Sequence, residues 1–179
     1  LLMALILLVS QFYYFMVQLI IIGSIGLDDI STPFGEVKDA IGGSATYASY
    51  AASFFALNKV KQGIIAIAGE DLPKEYMELL HLRNIDINGL VIKGKNFRWS
   101  GKYEFDMNQA HTLKTELNSL ADFEANVPEQ YKNAQFILLA NNPPELQLKV
   151  INQLNNPRFI VLDSMNLWIQ IAKEKLIEV

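Results

Sequence analysis

Four short apolar runs constrain this chain more than any other feature: MVQLIIIG at 16–23, GIIAIAG at 63–69, QFILLA at 135–140 and RFIVLD at 158–163. They lack the alternation of a strand with one wet face, so each is expected as a strand covered on both sides, the habit of a parallel sheet. Helical segments separate them. After Gly43 the spacing predicts a helix of about 14 residues, with Ala45, Ala48, Ala52 and Ala56 as a stripe small enough for close approach to a sheet. A second helix is expected in DLPKEYMELLHLRNI, with Asp71 as its cap and Pro73 in its first turn. Before Leu146, Val150, Ile151 and Leu154, the group Asn142, Pro143 and Glu145 reads as a capping box. Alternation of strand and helix implies an α/β fold with βαβ connections.

Residues 89–106 break that rhythm. GLVIKGKNFRWSGKYEFD reads as a hairpin of Leu90–Ile92, a turn at 94–96, and a strand with Phe97, Trp99, Tyr103 and Phe105 on one face. Arg98, Ser100, Lys102 and Glu104 fall on the other face. The region between this ribbon and the run at 135 has no clear period.

Charge and composition remove whole classes of function. With 15 basic and 19 acidic residues the net charge is -4, and no dense basic block exists to hold a nucleic acid. There is no cysteine, and only His81 and His111 offer imidazole, too few for a zinc cluster. Absence of cysteine fits a cytoplasmic protein. The first 22 residues carry no charge and are long enough for a membrane span, yet lack the basic start and cleavage site of a secretory signal. Met16 opens the first core strand directly, so residues 1–15 are expected to be a non-native leader, from a misassigned start or an open-ended gene model. A membrane anchor and an extra packed helix are the alternatives.

The pair Gly42 and Gly43, in IGGSATYASYAASFF, opens the first helix and poses the functional question. A dinucleotide fingerprint would place G-x-G-x-x-G between first strand and first helix, whereas GSIGLDD runs into a loop. A Walker A loop needs Lys followed by Ser or Thr, and GGSATY has neither. A turn without a ligand remains the plain alternative.

Taken in order, IIIGSIGLDDISTPFG, IGGSATYASYAASFFA and GIIAIAGEDLPKEYMELLHLRNIDINGL resemble the amino-terminal part of the ribokinase-like, or PfkB-type, carbohydrate kinases. FRWSGKYEFDMN, ILLANNPPELQL and FIVLDSMNLWI resemble a bacterial branch of sugar kinases within them. The resemblance spans residues 17 to about 170 but only about half of such an enzyme. It implies a three-layer α/β/α sandwich, incomplete here, with a small β lid near 34–41 and 90–106 over a sugar site.

By resemblance, Asp28 binds substrate hydroxyls, with Asp29 as its neighbouring rival, and Gly42 and Gly43 let the backbone approach the sugar. Tyr47 stands where many relatives have asparagine, which argues against a ribokinase proper; it is read as stacking on substrate or packing on the sheet. Phe97, Trp99 and Tyr103 are read as lid contacts to substrate or as packing, and Arg98 and Lys102 as partners of an anionic group or as solvated charges. Asp163 and Asn166 are placed near phosphates and metal, and Asn141 and Asn142 are lesser candidates. The family's catalytic Asp belongs to a GxGD motif that does not occur after residue 43. The expectation is therefore a kinase fragment, inactive alone. The intact enzyme would use ATP and Mg²⁺, and its lid sometimes pairs in a homodimer. A noncatalytic sugar- or nucleoside-binding module and a membrane-tethered protein are the rival readings.

Overall fold

A computed structural model describes residues 16–56 and 59–179, so the leader read at 1–15 lies outside the described residues. In chain order the strands are β1 (Leu19–Ile22), β2 (Gly26–Thr32), β3 (Gly35–Gly42), β4 (Gln62–Ala68), β5 (Ile85–Ile92), β6 (Phe97–Tyr103), β7 (Ala110–Glu116), β8 (Phe136–Leu139) and β9 (Phe159–Leu162). The helices are α1 (Ser44–Ala56), α2 (Lys74–Leu82), α3 (Pro144–Ile151), α4 (Asn166–Ile171) and α5 (Lys173–Glu178).

All four apolar runs enter one parallel sheet with the order β5-β4-β1-β8-β9. Ile20, Ile21 and Ile22 of the central strand are fully buried because both sheet faces are covered. Alternation along β1 sends Ile20 and Ile22 to one face with Ile65, Ile137, Leu139 and Val150, the last of these from α3. Ile21 faces the other side with Ile64, Ala45 of α1, and Tyr76 and Leu80 of α2. Each such aliphatic side chain contributes about 1.5–3 kcal/mol by leaving water, so this double layer supplies much of the stability.

The buried line of α1 differs from the alanine stripe expected. Ala45, Thr46, Ser49 and Ser53 are the buried residues. Serine is small enough for the same close packing, and the helix satisfies its hydroxyl locally: Ser49 donates to Thr46 O (3.0 Å) and Ser53 to Tyr50 O (2.7 Å). Asp71 also departs from its expected role. No side chain caps α2, and Asp71 Oδ1 instead accepts from the backbone and side-chain nitrogens of Asn96, both at 2.8 Å.

On the α3 side, Tyr131 is fully buried with its hydroxyl 3.0 Å from Asp86 O and also against the Asp86 carboxylate. Burial pushes this phenol's pKa up, so it stays protonated and donates. Substituting Tyr131→Phe is expected to cost about 1–2 kcal/mol, read from the urea midpoint, because it removes the donor from a buried acceptor pair.

A second sheet with the order β3-β2-β6-β7 stands apart from the first. β2 and β3 form an antiparallel hairpin, β6 joins β2 in parallel, and β7 closes the far edge antiparallel to β6. The hairpin expected at 90–106 is therefore corrected. Leu90, Val91 and Ile92 pair with Ala66, Ile67 and Ala68 in the parallel sheet, and the antiparallel partner of β6 is the stretch 110–116 that showed no clear period. Every residue of β7 but the last is exposed, so it has no apolar face to announce it. Phe105 leaves the ribbon's apolar row and stacks edge-on against Phe34 at 5.9 Å, both rings well exposed. Among the described residues, no helix is long and apolar enough to cross a membrane.

Candidate functional site

The second sheet overhangs the carboxyl ends of β1 and β8 and encloses with them a cavity of about 800 Å³. Phe97 and Trp99 of β6 and Thr112 and Thr115 of β7 form its lid wall, and the start of α1, the loop after β8 and α4 complete it. The lining is mainly hydrocarbon and aromatic, with few converging polar groups, the usual make-up of a small-molecule site. Its position at strand carboxyl ends is where ligands of open α/β sheets gather.

The glycine pair has two different duties here. Gly43 has φ +100, a region strained for any residue with a β-carbon, and such a carbon would overlap the Ser24 carbonyl. That carbonyl accepts the Ala45 N–H at 3.0 Å, so the turn presses the first helical turn onto the end of β1. Ser24 and Ser44 complete the clasp reciprocally: each hydroxyl accepts the other's backbone N–H at 3.1 Å. Gly42 is needed for another reason. A β-carbon on it would overlap the Asp28 carboxylate, which lies across the strand at that point. At this turn Gly43 lines the cavity, while the space a β-carbon would take on Gly42 is filled by the Asp28 carboxylate, itself in the lining.

Asp28 is half-buried and lines the cavity. Its carboxylate makes no hydrogen bond among the described residues, and burial, with a smaller push from Asp29, raises its pKa above 3.8. Asp29 is engaged elsewhere: its Oδ1 accepts the Asp39 N–H at 2.9 Å, and it is not in the cavity lining. Tyr47 also lines the cavity and is 62% exposed, which sets aside its reading as core on the sheet. The Trp99 indole folds over Gly101, and its Nε1 donates to Thr112 Oγ1 at 3.1 Å, so two lid strands fix the ring's angle.

Asn142 carries the strongest unmet demand. It is 2% exposed, it lines the cavity, and among the described residues neither its side-chain oxygen nor its nitrogen has a partner. Its expected capping role is not found, because α3 begins after Pro143 with no side-chain cap. An amide buried without partners costs about 1–3 kcal/mol per group, a debt that a bound molecule offering both donor and acceptor would remove. Its neighbour Asn141 is engaged: Oδ1 accepts from Trp168 Nε1 at 2.9 Å, holding that indole at the cavity wall. Trp168 and the Ser24–Ser44 clasp were not foreseen. The position of Ser24 just past β1 was the available signal for the clasp, whereas nothing local marks Trp168.

The remaining candidates are not brought to the cavity. Arg98 points from the opposite lid face to Asp39 Oδ1 (2.6 Å) and Asp71 Oδ2 (3.7 Å), and Lys102 pairs with Glu104 at 3.3 Å. Asp163 and Asn166 are exposed beyond β9 and outside the lining. Among the described residues no group of three His, Asp or Glu side chains is placed to hold a metal.

No family model matches the sequence. The chain is 29% identical over 147 residues to a cytidine kinase of Thermococcus kodakarensis, covering 82% of this chain and 51% of that protein. The chain spans about half the length of the curated relative it matches. Among solved structures it is similar to the Methanocaldococcus jannaschii nucleoside kinase, an archaeal member of the ribokinase family, with TM-score 0.66 and 19% identity over 91% of this chain and 57% of that one. It is also similar to the ribokinase of Cryptococcus neoformans var. grubii serotype A in complex with ADP, with TM-score 0.63 and 14% identity over 81% and 50%.

Proposed function

We propose that this chain, whose fold is that of the ribokinase-type kinases, holds the acceptor side of a site that passes a phosphoryl group from ATP to a sugar hydroxyl, and that the acceptor is a nucleoside. One observation carries the reading: an unpaired, half-buried carboxylate, Asp28, and a buried amide without partners, Asn142, line the same largely apolar cavity. A carboxylate accepts from two sugar hydroxyls, and an amide offers one donor and one acceptor to an adjacent polar edge. Such a pair favours a ligand that satisfies both and rejects analogues lacking the hydroxyls.

The rest of the wall argues for more than a free sugar. Phe97, Trp99, Leu167 and Trp168 give aromatic and aliphatic area that a polyhydroxyl ring alone would leave in contact with water. A nucleoside supplies both characters, hydroxyls for Asp28 and a flat base for the indoles. When bound, ATP with Mg²⁺ supplies the phosphoryl group and neutralises its charge. The part of this chain is to bind the acceptor, orient it and exclude water beneath the lid. In this reading Arg98, Lys102, Asp163 and Asn166 take no part in acceptor binding, and the chain by itself does not transfer phosphoryl groups.

Tryptophan emission tests the substrate class, because Trp99 and Trp168 are the chain's only tryptophans and both line the cavity. Titration with cytidine is expected to quench emission saturably, and free ribose is expected to leave it unchanged. Equal response to ribose and cytidine would return the assignment to a simple sugar.

A further inference from the structure

The charged face of β6 turns away from the cavity, yet its arginine sits where the two sheets meet. β3 carries two residues, Lys38 and Asp39, between Val37 and Ala40, where β2 has only Asp29 between Ile30 and Asp28. This is a bulge, and Asp39 adopts φ 52 within it. Asp29 Oδ1 fixes the bulge by accepting the Asp39 N–H at 2.9 Å. The bend therefore falls one residue from Asp28, which pairs with Ala40. Across the gap, Asp71 on the loop after β4 is held by two bonds from Asn96, whose Oδ1 in turn accepts the Gly69 N–H at 2.7 Å.

We propose that Arg98 is a positioning residue: by gripping Asp39 on the bulged lid strand and Asp71 on the body loop, it fixes the lid sheet against the parallel sheet and so sets where Asp28 and Trp99 meet an acceptor. Arg98–Asp71 is the only ion pair joining the two sheets' parts among the described residues. Isolated exposed pairs contribute little, because two mobile side chains must be ordered to make them. Here the Asp71 carboxylate is already held by Asn96 and the Asp39 backbone is fixed in the bulge, and a planar guanidinium addresses both carboxylates together, which a single ammonium does not reproduce. The lid's strands hydrogen-bond to one another, and Asn96, one residue before β6, is tied to Asp71 and Gly69 of the body, so Arg98 adds a charged tie to the same body loop two residues further along.

The proposal rests on the acceptor-site reading for its consequence but not for its geometry, and the test separates the two. With 5-fluorotryptophan incorporated throughout, the solvent isotope shift of each fluorine reports exposure of Trp99 on the lid and Trp168 on the body, the two resonances being assigned from the Trp99→Phe spectrum. Arg98→Met is expected to raise the Trp99 isotope shift, leave that of Trp168 unchanged, and weaken cytidine binding roughly tenfold, as a small misplacement of binding groups does. Arg98→Lys is expected to fall between, and Asp71→Asn to reproduce Arg98→Met without adding to it in the double variant. An unchanged Trp99 shift in Arg98→Met, or equal changes at both indoles, would overturn the positioning role. If the wild-type chain binds no nucleoside, the acceptor reading falls, and the two isotope shifts still decide whether Arg98 fixes the lid.

Discussion

Asp28→Asn is expected to weaken acceptor binding about 30-fold while making the protein more stable at neutral pH. The loss follows from replacing a charged acceptor of hydroxyl hydrogen bonds with a neutral one, worth about 2 kcal/mol. The gain follows from burial, which raises the Asp28 pKa in the folded chain above its ordinary value of 3.8, with Asp29 adding to the rise. A folded state with the higher pKa binds the proton more readily than the unfolded chain, so stability grows as pH falls through the raised value and levels off below 3.8. Above that window the charged carboxylate opposes folding. The asparagine variant should therefore melt higher at pH 7 and lose the weakly acidic slope in its melting profile. Lower stability at pH 7, or cytidine binding equal to wild type, would contradict the role given to Asp28.

The largest loss of stability is expected at Gly43. Alanine there meets two obstacles at once: φ +100, and overlap with the Ser24 carbonyl, a backbone atom already bonded to Ala45. Relief requires α1 to move off the end of β1, against the packing of Ala45 in the core. A cost of about 3 kcal/mol is expected, which for a chain of this size lowers the melting temperature by about 6–12 °C. Gly42→Ala has the opposite profile. Its β-carbon would meet the Asp28 carboxylate first, a side chain able to give way, so that side chain is displaced, cytidine binding falls, and melting changes much less. Thermal melts and cytidine titrations of the two variants separate the duties, and equal melting of Gly43→Ala and wild type would overturn the helix-clasp account.

The parallel sheet was legible in the sequence because burial on both faces leaves a continuous apolar run, as at Ile20–Ile22 and Ile64–Ala68. The lid was legible only in part. β6 shows its aromatic face, but β3 and β7 are mostly exposed, and an exposed strand carries no pattern that names its partner. Leu90–Ile92 illustrates the same limit: a turn at Gly94 suggested a hairpin, whereas pairing with β4 is settled by contacts far along the chain. Within the site, Asp28, Tyr47 and Trp99 were reached through residue type and resemblance. Asn142 was assigned to a helix cap by a local rule that tertiary burial overrides. Arg98 was visible as a charge on a ribbon, but its partners Asp39 and Asp71 are 59 and 27 positions away in sequence, beyond any local pattern.

Isothermal titration of this chain with cytidine and, separately, with ATP and Mg²⁺ tests the central claim most directly. The account predicts saturable heat with cytidine that Asp28→Asn largely removes, and no specific heat with ATP. Tight ATP binding without cytidine binding would contradict it, since the cavity beneath the lid would then not be the acceptor site.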